Sequence, residues 1–155
     1  MTSTEPGRPV QRIVIGVDGS EQSIQALRWA RRLAADIGAR LEAVLAWEYP
    51  MITGWGTAAM PLTYNLHADM EKVLTDAVDT AFGADRPADL RLDVLEGHPA
   101  RLLIERSADA LMLVLGSRGH GGFTGLLLGS ISANVAEHAH CPVLVVHGDR
   151  LPDAR

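Results

Sequence analysis

Five short apolar runs punctuate the chain, and the stretches between them carry helical rather than strand periodicity. The runs are "RIVIGVD" (12–18), "RLEAVLAWE" (40–48), "DLRLDVLEG" (89–97), "ALMLVLG" (110–116) and "PVLVVH" (142–147). Their length and their Val, Ile and Leu content suit strands. After the first run, Ala26, Ala30, Leu33 and Ile37 recur at i, i+4, i+7 and i+11, with Ile24, Leu27 and Ala34 widening the stripe. Ser20 stands where a helix is capped and Gly38 where it stops. A second stripe comprises Leu66, Met70, Val73, Leu74, Ala77, Val78 and Phe82. "HPARLLIERSA" opens a third helix, with Pro99 where a missing N–H costs nothing, and Ser130 to Ala139 reads as a short fourth. Strands alternating with helices predict βαβ units, and so one α/β domain whose open parallel sheet has helices on both faces.

Bulk properties limit what such a domain can do. The 155 residues suffice for one sizeable core, expected over residues 10–148, with loose tails at 1–9 and 149–155. Fourteen basic against nineteen acidic residues leave a net charge of −5, which argues against nucleic acid as a partner. A single cysteine, Cys141, excludes an intrachain disulfide framework and fits a reducing compartment. "MTSTEPGRPV" lacks the apolar centre of a signal peptide, and no run approaches the length of a membrane span. The expectation is a cytoplasmic protein without a membrane partner. Residues 49–65 break the rhythm with prolines and glycines, as a functional lid or a surface excursion would.

The chemistry concentrates in "GSRGHGGFTGLLLGS", residues 116–130, which holds six of the fifteen glycines. It begins where the fourth strand ends and finishes by opening a helix. Ligands of open parallel sheets bind at such strand ends. A glycine-rich backbone leading into a helix N-terminus presents N–H donors to an anion. A phosphate cradle therefore explains the segment better than a slack linker. It is not a Walker A loop, because Leu128-Gly129-Ser130 lacks the lysine. The dinucleotide fingerprint also misses, since Thr124 stands where its third glycine would fall.

The spacing that fits is Gly116-x2-Gly119-x9-Gly129-Ser130. With "IVIGVDGS" at the first strand, "GHPARLLIERSADALMLVLGSRGHGG" in the middle and "CPVLVVH" at the last, the chain resembles the universal stress protein family from about Arg12 to His147. The resemblance implies a five-stranded sheet of order 3-2-1-4-5, Rossmann-like and related to the adenine nucleotide alpha hydrolases. Because the full glycine pattern is present, it also implies the branch that binds ATP with Mg2+. By resemblance Gly116 and Gly119 let the loop backbone wrap the ribose-phosphate portion, with Ser117 counted in the site beside them, while Arg118 either reaches phosphate oxygens from the loop or is solvated there. Gly129, Ser130, Ile131 and Ser132 meet the outer phosphates, and Gly16, Val17 and Asp18 contact the nucleoside. Ala46 and Trp47 lie where backbone groups recognise adenine. Simpler roles stand beside these: Ser130 as a helix cap, Asp18 as a turn residue and Trp47 as packing. His120 could also reach phosphate.

Neither a P-loop lysine nor an obvious general base for a γ-phosphate is legible. Fast hydrolysis would need a positioned water and charge neutralisation. The reading is thus a nucleotide-dependent regulatory protein, at most a weak ATPase, with no catalytic residue assigned. A nucleotide hydrolase or adenylyl-transfer enzyme is the alternative, and a dimeric module without nucleotide a third. "PVLVVH" would be an apolar edge strand, and an uncovered edge invites pairing. The family-like solution is a homodimer through Val143, Leu144, Val145 and Val146. "HAHC" (138–141) lacks the second ligand pair of a zinc site, and no metal ligand is assigned.

Overall fold

The computed structural model describes residues 10–49, 65–119 and 128–153. Along the chain lie β1 (Arg12–Gly16), α1 (Glu21–Ile37), β2 (Arg40–Trp47), α2 (Leu66–Phe82), a 3-10 turn (Gly83–Asp85), β3 (Arg91–Glu96), α3 (Pro99–Ser107), β4 (Met112–Gly116), α4 (Ser130–His138) and β5 (Val143–Val146). The five strands form one parallel sheet of order β3-β2-β1-β4-β5. The expected architecture is present, and β3, whose sequence alternates, is an edge strand.

Alternation along the strands sorts the core onto two faces. Ile13, Ile15, Val17, Ala43 and Leu45 pack with Ala26, Leu27 and Ala30 of α1 and with Leu74 and Val78 of α2. Val14, Val44, Leu113 and Leu115 pack with Ala100 and Leu103 of α3 and Val135 of α4. Burying such side chains is worth about 1.5–3 kcal/mol each, so the stripes rather than helix propensity fix the layers. Ser20 does cap α1, its side chain accepting from the Ser23 amide, and Gly38 follows the helix with φ +71°. Ile37, at the end of the α1 stripe, is exposed all the same. It occupies the last turn, where helical spacing continues but the core does not.

Two features tie the periphery down. At the amino ends of the strands, buried Glu42 accepts from Arg12 at 3.0 Å and from Arg106, and Arg106 also donates to Asp93 at 2.8 Å. After β5 the chain runs beside α1. Trp29 Nε1 donates to the Arg150 carbonyl at 3.1 Å and the Arg32 guanidinium to the Asp153 carbonyl at 2.8 Å.

The sheet opens where its order reverses. β1 and β4 stay in register through Ile15 and Val114. Beyond that point each turns outward: the Val17 amide donates to Val44 at 2.8 Å, and the Ser117 amide to Val146 at 2.8 Å. A crevice follows directly, because neighbouring strands that bond away from each other leave their carboxyl ends apart.

Candidate functional site

The crevice leads into a cavity of about 410 Å³, within the usual range for small-molecule sites, roughly 300–1,000 Å³. It is lined at β1 by Gly16, Val17 and Asp18, at β2 by Val44 and Ala46, and at β4 by Leu115, Gly116, Arg118 and Gly119. Leu128, Gly129, Ser130, Ile131, Ser132 and Ala133 close it at the start of α4, and Pro99 and Leu103 of α3 form an apolar wall. Eleven of the thirteen residues expected at the site therefore converge on one cavity from three separate parts of the chain.

The other two are placed differently. Trp47 is buried among Leu45, Leu74 and Val78 on the α1/α2 face, its ring edge-on to Tyr49 at 4.8 Å. Strand alternation dictates this: Val44 and Ala46 face the cavity, so Trp47 faces away. Its carbonyl accepts from the Gly97 amide at 2.7 Å. Ser117 is buried and does not line the cavity, and its carbonyl accepts from the Gly129 amide at 2.6 Å. His120, the other loop glycines and most of the 49–65 connection lie outside the described residues.

The α4 end of the cavity has a definite construction. The first helices all carry side-chain caps: Ser20 on α1, Asn65 on α2 and His98 on α3. α4 begins at Gly129 with no side-chain cap. The amides of its first turn have no partner within the helix and point along its axis, adding to the positive end of the helix dipole. Those amides belong to Ser130, Ile131 and Ser132, all on the cavity. Arg118 adds the one cationic side chain among the described lining residues.

Asp18 supplies a contrasting polarity. Its Oδ1 accepts from the Ser20 amide at 2.9 Å and from the Ser20 hydroxyl at 2.5 Å. The same serine caps α1, so the carboxylate is held by the turn that starts that helix. A fixed, exposed carboxylate suits hydroxyl or amine donors and repels phosphate. The cavity therefore carries an acceptor at β1, donors at the start of α4 and an apolar wall from α3.

The glycines of the spacing motif do different work. A Cβ at Gly116 would lie 2.8–3.0 Å from Gln22 and the Ser23 backbone, and one at Gly119 only 2.2 Å from Asp18 Oδ2. At Gly129 the nearest atoms of the described residues would be 3.6 Å away, and its φ is −68°, open to any residue. Close packing of the described protein accounts for the first two and not for the third. Sequence reasoning missed Val44, Pro99, Leu103 and Leu115 as lining residues. Period 2 from Ala46 points to Val44, and the i, i+4 pair Pro99 and Leu103 shares one helix face. Both signals are weak without knowing which face the cavity occupies.

A family model for the universal stress protein family matches residues 9–147. The chain belongs to the universal stress protein family. Two universal stress proteins of Mycobacterium tuberculosis are each 34% identical to it, one over 142 residues and one over 135. These alignments cover 88% and 86% of this chain but 48% and 44% of those proteins. The chain thus spans about half the length of the curated relatives it matches. Among solved structures, a universal stress protein in complex with cAMP is 31% identical with a TM-score of 0.65, covering 88% of this chain and 96% of that one. A universal stress protein from Archaeoglobus fulgidus in complex with dAMP shares the fold at 17% identity and a TM-score of 0.60, covering 89% of this chain and 98% of that one. The five-stranded parallel sheet of order β3-β2-β1-β4-β5 is thus the fold this chain shares with these universal stress proteins.

Proposed function

We propose that the cavity binds ATP and that the protein acts as a nucleotide-dependent regulatory module with at most slow hydrolysis. The observation that carries this reading is Gly129. It is a glycine with room for a side chain among the described residues and an ordinary φ, set before an uncapped helix start in a cavity that a nucleotide would fill. A ligand whose phosphates approach the backbone supplies the missing reason for it. Val44, Ala46, Pro99, Leu103 and Leu115 would face the base, Asp18 the ribose hydroxyls, and the α4 amides with Arg118 and Ser130 the phosphates.

Slow chemistry fits the same residues. The described lining holds no lysine and no histidine, and its one carboxylate is engaged by Ser20. Nothing among these residues positions a water against a γ-phosphate. The donor set likewise suits Mg2+ carried on phosphate oxygens and water, with Ser130 as a neutral protein oxygen, more than a carboxylate-built metal site. The cAMP complex of the 31% identical relative favours a second reading, a monophosphate ligand in the same cavity.

Isothermal titration with ATP, ADP, AMP and cAMP separates these readings, with mass spectrometry of nucleotide released from gently purified protein as a check. ATP binding with the tightest affinity is the expected result. Preference for cAMP selects the second reading, and failure of all four to bind overturns both. Gly129→Glu should abolish binding, because it brings bulk and negative charge to the phosphates, with the melting temperature preserved.

A further inference from the structure

The start of α4 is fastened to the end of β4 by two hydrogen bonds. The Gly129 amide donates to the Ser117 carbonyl at 2.6 Å, and the Ser132 hydroxyl donates to the Gly116 carbonyl at 2.6 Å. Gly116 lies beyond the last β1–β4 pair, Ile15 with Val114, so Ser132 bonds to β4 past the point where β1 has turned away. Ser132 is 7% exposed. A serine hydroxyl has one proton to donate, and here it is engaged by a carbonyl inside the protein. Ionised phosphate oxygens only accept, so while that bond is kept this hydroxyl has no proton to offer them. Ser130, one residue into the helix and exposed, differs on that point.

We propose that Ser132 is a positioning residue rather than a phosphate donor: its buried hydroxyl, bonded to the Gly116 carbonyl, fixes the first turn of α4 so that its amides face the anion. The inference rests on the nucleotide reading above and assigns Ser132 a role different from the one its family resemblance implies. The two bonds act together. Ser132 holds the helix start from one turn inside, and Gly129 holds it from its boundary, which closes the glycine loop at both ends before any ligand arrives. Preorganised donors keep their strength because binding does not have to order them.

The test compares wild type, Ser132→Ala and Ser132→Thr in three measurements. These are affinity for ATP, affinity for adenosine, and hydrogen exchange at the Gly129 amide without nucleotide. Ser132→Ala should bind ATP about tenfold more weakly, because binding must then order the helix start that the bond held in place. It should bind adenosine as wild type does and exchange the Gly129 amide faster. Ser132→Thr retains the hydroxyl and should restore both ATP affinity and protection. Weaker ATP binding with unchanged exchange would make Ser132 a direct phosphate donor and overturn the proposal, as would unchanged ATP affinity. If wild type binds neither ATP nor adenosine, the nucleotide reading fails by itself. The exchange measurement still decides whether Ser132 holds α4, with unchanged exchange rejecting that hold.

Discussion

At the scale of single residues, a methyl group separates glycines that look alike in the sequence. Alanine at Gly116 must push against the backbone of α1, at Gln22 and Ser23, which is held by the Ser20 cap and cannot yield cheaply. Alanine at Gly129 meets only ordinary contacts. Gly116→Ala should therefore lower unfolding free energy by about 1–3 kcal/mol, the usual cost of overpacking. Gly129→Ala should change it by less than about 0.5 kcal/mol. Urea denaturation of the two variants checks the contrast, and equal stability losses would remove the structural argument for a ligand at Gly129. The motif spacing identified both glycines as important without distinguishing their reasons. The atoms that decide, on Gln22 and Ser23, come from the other end of the chain, and only the β1–β4 adjacency brings them to Gly116.

At the scale of elements, α3 illustrates how one helix can serve both ends of a sheet. Its start, Pro99 and Leu103, forms the cavity wall, while its end carries Arg106 into the Glu42–Arg12–Asp93 cluster. Burial alone would raise the Asp93 pKa, but the hydrogen bond from Arg106 and the charges of Arg91 and Arg106 outweigh it and hold the carboxyl below its ordinary value. A lowered folded pKa means that the folded state binds protons less readily than the unfolded chain. The stabilisation is therefore present above pH ~4 and disappears as pH falls through the folded value. Arg106→Met should cost about 3 kcal/mol at neutral pH, because it removes one partner from a buried charge. The gap to wild type should narrow in acid as Asp93 protonates. Denaturant titrations at neutral pH and below pH ~4 check both statements, and a pH-independent gap would contradict the role given to Asp93. The elements themselves were legible from periodicity, down to the Ser20 cap and the Gly38 stop. This cluster was not, because Glu42 in "RLEAVLAWE" reads as a solvated charge until α3 and β3 cover it.

At the scale of the whole molecule, the open question is the outer edge of β5. The strand lies last in the sheet order, and among the described residues none pairs with its free side. Val143, Leu144 and Val145 remain half-buried, an incompletely covered apolar edge of the kind natural proteins protect. The residues directly after the strand are the nearest part of the chain that could cover it. The chain instead turns away to α1, where Trp29 and Arg32 hold the Arg150 and Asp153 carbonyls. Those hydrogen bonds keep residues 150 and 153 at the helix, and we propose that a second copy of the chain pairs with the edge. It would also couple two cavities, since the Val146 carbonyl accepts from Ser117, and Ser117 accepts from Gly129 at the cradle. An isologous dimer through β5 should sediment at twice the 16.6 kDa chain mass. Val145→Lys, which places a charge on that edge, should shift it to monomer while leaving the far-ultraviolet circular dichroism intact. A wild-type chain that stays monomeric across a concentration series would require some other cover for β5. A dimer unaffected by the lysine would place the interface elsewhere. If the dimer is confirmed, its dissociation constant measured with and without ATP tests the link from Val146 through Ser117 to Gly129, and an unchanged constant would show that the cavities and the edge act independently.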